Sequence, residues 1–464
     1  AADTALARAN ARALVAEYLA HPPDPVSRRP EVTARRVMTY LSQSPLILDG
    51  ADHAFYHKLM RALGRDLRRI ARAMQDHPRP LVRLTCAVAV VYAGLSIAAH
   101  EGLARRGSRI LARELDAQIL PDGGHIGRNP KVVLELLLDL LPLKQVYLAR
   151  GIEPPAALLQ AIDRIPPMLR LMRHGDGTLA LFNGMGSTPV DHLTTLLFYD
   201  EARASPLQRA LVSGFERIEA REALLIADTG AAPGPLHSAE AGAGPASFEF
   251  SVRGQRIIVN CGAPRGRDDP VAQMARSTAA HTGLCLADTS CARFLSPTGW
   301  LGRRLVAGWL MRRLGPVMLR GPQQVNVERA SPLRFKVSHD GYLPTFGMIH
   351  ERRITLAPEG DILEGEDRLE GAFKGPADAQ VAIRFHLHPS IRASLTRGGR
   401  IAMLVLPDGE TWQAAAPGLD FSLEESIFLA ATDGAKRTQQ LVINIPAPMS
   451  KPVQWRFERL TGAR

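Results

Sequence analysis

Hydrophobic residues recur at intervals of three and four along the first part of the chain. The spacing is clear in segments 51–74, 80–98, 131–150 and 154–172, and it places the apolar side chains of each segment on one face of a helix. Stretches that contain Pro and Gly, such as PDGG and GDG, separate the segments and interrupt helices. The pattern therefore predicts several helices joined by short loops.

After about residue 220 the hydrophobic period becomes two, as in strands with one buried face. In SFEFSVRGQRIIVNC and RIAMLVLPDGETW, Gly supplies the positive φ of a hairpin turn. Further strands are predicted in 281–288, 333–342, 350–358, 382–389, 439–447 and 452–460. Because strands follow helices rather than alternate with them, we expect an α+β multidomain protein. Its helical domain is predicted over 1–215 and its antiparallel β-sheet domain over 216–464.

Length and composition agree with this division. The chain has 464 residues, 46% of them hydrophobic, and one core usually divides beyond roughly 250–300 residues. No apolar run of about 18 residues lacks a charge, so insertion into a membrane is not expected.

The net charge of +11 is consistent with two interpretations. An excess of Arg arises from codon bias in GC-rich genomes, whereas a basic groove would concentrate an anionic polymer. Zinc-finger spacing, aromatic RNA-binding motifs and long Lys/Arg runs are missing from the sequence, so nucleic acid is not an expected partner.

Four segments together resemble the heparinase II/III-like polysaccharide lyases. They are LPDGGHIGRNP with the leucine-rich helix after it, ASFEFSVRGQRIIVNCGAP, RSTAAHTGLCLAD, and SHDGY with the following HERR. They occur in the family's order across about residues 120–353. The resemblance implies an N-terminal (α/α) toroid followed by a β-sandwich-like domain. Family members carry more helix before this point, so the toroid is expected to be incomplete here.

The resemblance also implies β-elimination on a polysaccharide that contains uronic acid. Elimination requires neutralisation of the uronate carboxylate, a base for the C5 proton and an acid for the leaving oxygen. Family members use an Asn–His pair, a Tyr after the Gly-rich turn and a His of the sheet domain. The positions that match the pair and the Tyr hold Leu81, Val82 and Val132.

Many members also hold a structural zinc ion. The matching positions are Gly242, Asn260 and His281, and a single imidazole cannot bind zinc in a structural site. The chain is therefore expected to need no metal and no cofactor. His281 could instead form a hydrogen bond with Asn260.

A different polar set occupies the same segments and could still support elimination. Arg128 and Asn183 would neutralise the carboxylate, and a histidine near neutrality could serve as base or acid. Each residue also has a structural alternative, such as a surface ion pair, a left-handed turn or hairpin packing. The candidate catalytic residues are His125, His237, His281 and Tyr342. The candidate substrate-binding residues are Arg128, Asn129, Asn183 and His339.

Three functions remain open on this basis. The first is a lyase acting on an acidic polysaccharide of the glycosaminoglycan type, located in the periplasm or cell envelope. The second is a uronate C5-epimerase, which shares the proton abstraction. The third is a non-catalytic protein that binds acidic glycan or assists exopolysaccharide assembly.

Overall fold

A computed structural model describes residues 4–21, 24–98, 100–199, 205–266, 269–296 and 301–460. The chain forms two compact units. The first comprises Ala1–Ile119 and Leu136–Asp163, and the second comprises Leu120–Glu135 and Arg164–Arg464. A domain boundary at residue 215 stays a prediction. Among the described residues, no helix combines the length and apolarity needed to cross a bilayer.

Helices dominate the chain up to residue 198, as predicted. They are α1 (Ala5–Ala20), α2 (Pro30–Ser42), α3 (Ser44–Leu48), α4 (His53–Asp76), α5 (Pro80–Ser96), α6 (Glu101–Gln118), α7 (Pro130–Ala149), α8 (Ala156–Met172) and α9 (Val190–Phe198). Three further helices lie among the strands: α10 (Val271–Met274), α11 (Leu301–Leu314) and α12 (Leu343–Phe346). Closure of the N-terminal helices into a toroid stays a prediction.

The core of the first unit forms around α5. This helix begins with a proline at its first turn, a position that lacks a hydrogen-bond partner in any helix, and nearly all of its side chains are buried. Gly94 allows α6 to approach closely, because a Cβ at this position would lie 2.6 Å from the backbone nitrogen of Ala104. Helix α4 is amphipathic and begins at Asp52, whose carboxylate accepts a 2.7 Å hydrogen bond from the backbone N–H of Phe55.

The second unit is rich in antiparallel strands. The first ten are β1 (Arg209–Ala210), β2 (Phe215–Ala220), β3 (Ala223–Asp228), β4 (Phe248–Val252), β5 (Gln255–Val259), β6 (Leu284–Leu286), β7 (Arg293–Phe294), β8 (Met318–Arg320), β9 (Val325–Ser331) and β10 (Arg334–His339). The others are β11 (Met348–Leu356), β12 (Ile362–Gly371), β13 (Gln380–Leu387), β14 (Arg392–Thr396), β15 (Ile401–Val405), β16 (Thr411–Ala415), β17 (Ser422–Phe428), β18 (Lys436–Pro446) and β19 (Val453–Leu460).

These strands form two large sheets. One follows the order β1-β2-β3-β4-β5-β13-β18-β17, with β6 also paired to β13, and the other follows β14-β15-β16-β19-β12-β11-β10-β9. A separate pair joins β7 to β8. The order of helices and then antiparallel sheets confirms the fold class expected from the sequence.

Aromatic side chains from the two large sheets meet in a common core. Phe248 stacks on Trp455 with ring centroids 5.5 Å apart, and Phe250 meets Trp412 edge-on at 5.4 Å. Phe385 lies 5.0 Å from the Trp455 ring. Offset and edge-on aromatic pairs add to the stabilisation from burial, so these contacts fix one sheet against the other.

A buried polar network crosses this core at Asp367. Its carboxylate accepts hydrogen bonds from Arg352 at 2.8 and 2.9 Å and from the indole N–H of Trp455 at 2.8 Å. His350 lies 2.7 Å from the same carboxylate. Burial alone would raise the pKa of Asp367, but Arg352 and His350 lower it below its ordinary value. A charge in this position is stable only because its partners are all present.

The strands predicted from alternation are present, and the VRGQR hairpin is the β4–β5 turn, with Gly254 at φ +75°. The β2–β3 hairpin, FERIEA and ALLIAD, was not predicted. Every residue of β3 is buried, so its sequence lacks the polar half of the alternation, and its Ala and Leu residues suit a helix equally well.

Gly365 provides a test of packing between neighbouring strands. A Cβ at this position would lie 2.0 Å from the indole ring of Trp455, so Gly365→Ala should destabilise the sheet domain by about 1–3 kcal/mol. Urea unfolding followed by the fluorescence of the buried Trp412 and Trp455 measures this. Gly308→Ala is the control, because nothing lies within 4 Å of its Cβ position. Equal midpoints for the two variants would contradict the packing argument.

Candidate functional site

The Gly-rich turn over 120–129 lies in the second unit and precedes α7. Gly123 adopts φ +83°, and a Cβ there would lie 2.0 Å from the Arg164 carbonyl oxygen, so only glycine fits. Asn129 ends the turn, and its side-chain oxygen accepts a 2.9 Å hydrogen bond from the backbone N–H of Lys131. Asn129 therefore caps the N-terminus of α7.

Arg128 is held within the protein by several hydrogen bonds, and its role in binding substrate stays a prediction. Its guanidinium donates to four carbonyl oxygens, those of Ser213, Gly214, Gly230 and Ala231, at 2.7–3.3 Å. It also donates to the Asp228 carboxylate. These bonds occupy all five guanidinium N–H groups, so none is directed at a uronate carboxylate.

Asn183 completes the environment of Asp228. Its amide N–H donates to Asp228 at 2.9 Å, and its oxygen accepts from the backbone N–H of Gly242 at 3.2 Å. Asn183 also has φ +49°, the left-handed conformation that the sequence left open as an alternative. Its side chain therefore connects two loops, and its contact with substrate stays a prediction.

The loop over 229–246 is held in place from several sides. Asn129 donates to the Glu240 carboxylate at 2.7 Å. Arg276 donates to the carbonyl oxygens of Ser238 and Ala241, both at 2.8 Å, and burial lowers the Arg276 pKa to about 10. The loop is therefore an ordered part of the domain, and Asn129 is joined to it by this hydrogen bond.

His125 and His237, two of the candidate catalytic residues, lie close together. Their ring centroids are 6.3 Å apart, and His237 lies in a short helical turn over Pro235–His237. Burial lowers the His125 pKa to about 3, the neighbouring His237 acts in the same direction, and Glu240 opposes both. The Nδ1 atom of His125 accepts a 2.9 Å hydrogen bond from the Gly127 backbone. His237 and Glu240 therefore lie close enough to His125 to act on its charge.

His281 lies against the same loop but does not bond to Asn260, so that alternative is wrong. Its Nδ1 is 2.7 Å from the Ser277 carbonyl oxygen, whereas Asn260 bonds to Glu249 and Thr282. The imidazole occupies space beside two glycines. A Cβ at Gly242 would be 2.7 Å from its Nε2, and a Cβ at Gly244 would be 2.4 Å from its Cδ2.

His339 and Tyr342 lie inside the sheet domain and have structural partners. The Tyr342 hydroxyl donates to the Leu284 carbonyl oxygen at 2.8 Å, and burial raises the pKa of Tyr342 well above its ordinary value. His339 is 3.0 Å from His350, which leads to Asp367. Both side chains are almost fully buried. The catalytic role of Tyr342 and the substrate-binding role of His339 stay predictions.

Among the described residues, no group of three or more His, Cys, Asp or Glu side chains is arranged to hold a metal ion. At the positions that matched the family's zinc ligands, the Gly242 backbone contacts the His281 ring and Asn260 serves as a hydrogen-bonding residue.

Sequence reasoning missed the acidic residues around which these side chains are organised. Asp228 ends the apolar strand β3 and Glu240 lies in the following loop. Glu249 is buried in β4 and bonds to Arg256 and His174. One signal in the sequence could have found them. An acidic residue within or at the end of a strongly apolar strand is buried, and a buried carboxylate requires a partner.

Asp228→Asn tests the central role of this carboxylate. The substitution leaves the buried Arg128 charge without its counter-ion, so the free energy of unfolding should fall by about 3–5 kcal/mol. The buried tryptophans report this in urea unfolding. Glu364→Gln removes an exposed pair with Arg456 and should cost less than about 1 kcal/mol. A loss at Asp228 no larger than at Glu364 would show that the carboxylate is not central.

The lowered pKa of His125 predicts a stability that depends on pH. The unfolded imidazole binds a proton below about 6.5, while the folded one stays neutral down to about 3. The contribution is therefore complete above pH 7 and is lost as pH falls through this window.

Between pH 7.5 and 5.0, His125 should account for about 2 kcal/mol of the loss in unfolding free energy. His125→Gln should reduce the loss by that amount, whereas His192→Gln, at an exposed position, should leave it unchanged. The same pH dependence in wild type and His125→Gln would refute the assignment.

Comparison with known proteins agrees with the fold and its sequence motifs. Residues 202–457 match the sequence model described as heparinase II/III-like, C-terminal. FtsZ-localized protein C from Caulobacter vibrioides is 31% identical over 450 residues, which cover 93% of this chain and 74% of that protein.

Two solved structures share the fold at low sequence identity. A crystal structure of heparinase III aligns with a TM-score of 0.73 at 10% identity, covering 98% of this chain and 74% of that one. Heparan sulfate lyase HepC from Pedobacter heparinus aligns with a TM-score of 0.62 at 13% identity, covering 94% and 69%. The chain therefore belongs to the heparinase II/III-like family.

Proposed function

We propose that this chain is a non-catalytic member of its family, and that it acts as a binding protein associated with FtsZ. The observation that carries this proposal is that the side chains suited to elimination already form hydrogen bonds within the protein. Arg128 and Asn183 donate to Asp228, and Tyr342 donates to a backbone carbonyl oxygen. A uronate bound here would find no guanidinium or amide prepared to neutralise its carboxylate.

The environment of His125 supports the same proposal. A general base works best when its pKa lies near the working pH. His125 has a pKa of about 3 because it is buried, so it is a weak acceptor for a carbon-bound proton. A protein can keep this fold without catalysing elimination, because the reaction depends on the residues of the site and not on the scaffold.

The partner is inferred from the relative that matches along most of the chain. That protein is named for its localisation with FtsZ, and it shares 31% identity over 93% of this chain. The heparinase structures support only a common fold, since their identities are 10% and 13%. The net charge of +11 favours an acidic partner surface.

A second candidate is an enzyme that acts on uronic-acid polysaccharide, as a lyase or a C5-epimerase. The pairing of His125 and His237 beside Glu240 favours it, since two imidazoles 6.3 Å apart could exchange roles as base and acid. In this candidate the ligand is an acidic glycan and the location is the periplasm or cell envelope.

Two assays on the purified chain distinguish these candidates. We expect the protein to sediment with FtsZ polymers, and to produce no rise in absorbance near 235 nm with a panel of uronate polymers. A rise that His237→Gln abolishes and His192→Gln preserves would establish the lyase and overturn the proposal. Deuterium incorporation at C5 without chain cleavage would identify the epimerase.

A fluorescent fusion tests location in cells. The proposal expects the fusion to follow FtsZ to the division site and to disperse when FtsZ is depleted. A signal confined to the periplasm, unchanged by FtsZ depletion, contradicts the association and favours the second candidate.

A further inference from the structure

A cleft of about 570 Å³ lies in the second unit, apart from the residues considered above. Three turns surround it: the segment after α8, the β2–β3 turn and the β4–β5 turn. Its volume falls within the range of small-molecule sites. At its base the turns approach closely, since a Cβ at Gly175 would lie 3.0 Å from the Cα of Gly254.

Positively charged side chains outnumber negatively charged ones in the lining of the cleft. Of the residues that the structure describes, four arginines and two glutamates line it: Arg170, Arg173, Arg217, Arg221, Glu219 and Glu222. Glu219 is bonded to Arg217, and Glu222 lies 3.6 Å from Arg253 outside the cleft. The negative charges of both carboxylates are therefore already neutralised by Arg217 and Arg253.

Arg173 carries a buried donor that has no acceptor. Its Nε is shielded from solvent and makes no hydrogen bond, and no ion pair joins it to a carboxylate in the described part of the chain. The guanidinium lies beside Gly177, where a Cβ would be 3.4 Å from Nη2. Leaving a buried donor unpaired costs about 1–3 kcal/mol, so the hydrogen-bonding capacity of Arg173, which lines the cleft, is not filled by the protein.

Arg221 presents a second positive charge from the β2–β3 turn. It adopts φ +51°, its side chain is exposed, and it has no ion pair with any carboxylate that the structure describes. His174 at the base adds no donor, because its two nitrogens are bonded to Ser251 at 2.9 Å and to Glu249 at 3.1 Å. The cleft therefore offers two guanidinium groups from two different turns.

We propose that this cleft binds a small ligand through a phosphate or diphosphate group held by Arg173 and Arg221. Guanidinium groups bind tetrahedral oxyanions by paired N–H donors, and a doubly charged group can engage two of them. Among the described residues that line the cleft, none is Phe, Tyr or Trp, so the phosphate, rather than a stacked base, supplies recognition. This inference does not depend on the proposed association with FtsZ.

Calorimetric titration with pyrophosphate at constant ionic strength tests the proposal. We expect saturable binding that Arg173→Gln and Arg221→Gln each weaken by at least about tenfold, the loss of one charge-assisted contact. Arg320→Gln removes the same charge from an exposed position outside the cleft and should bind like wild type.

Absence of saturable binding to wild type, or equal weakening by Arg320→Gln, would overturn the proposal. Because Arg221 is exposed on a turn, its variant should fold, and an unchanged melting temperature verifies this. Vesicles of phosphatidylglycerol separate two sources of the phosphate. Binding to pyrophosphate alone assigns a soluble ligand, and binding to both, lost in Arg173→Gln, assigns a lipid headgroup.

Discussion

The buried carboxylate of Asp228 is the interaction on which the candidate region depends. It accepts hydrogen bonds from Arg128, from Asn183 and from the Gly230 backbone. Through these contacts one side chain joins the Gly-rich turn, the loop after α8 and the end of β3. Arg128 extends the connection to the β1–β2 turn by bonding to carbonyl oxygens there. A buried ion pair is stable only with full partners, so these segments must fold together.

This dependence explains why the family's motifs occur together in this chain. The Gly-rich turn, the asparagine loop and the strand end meet because their backbones and polar groups require one another. The side chains that meet there complete hydrogen bonds within the protein, and burial lowers the pKa of His125. The requirements of a scaffold and those of a reaction are separate constraints on a sequence, and these contacts meet the requirements of the scaffold.

Much of the fold follows from the sequence, but the site does so only in part. Alternation located β4 and β5 because Phe248 and Phe250 face the sandwich core, and helical spacing located α4 and α5. The β3 strand was not predicted, because both of its faces are buried and its sequence therefore lacks the alternation of apolar and polar residues. Sequence named both His125 and His237 as candidates but did not establish the distance between them. It could not reveal that Arg128 is paired with Asp228, because the two are 100 positions apart and either residue alone resembles a surface charge.

The contact between His281 and the two glycines at 242 and 244 limits which residues these positions can hold. The imidazole fills the volume that any side chain at either position would need. A larger residue at 242 or 244 would require the His281 ring to move, which would break its contact with the Ser277 carbonyl oxygen. Substitutions at these three positions are therefore coupled, and a larger residue at either glycine requires a smaller or displaced side chain at 281.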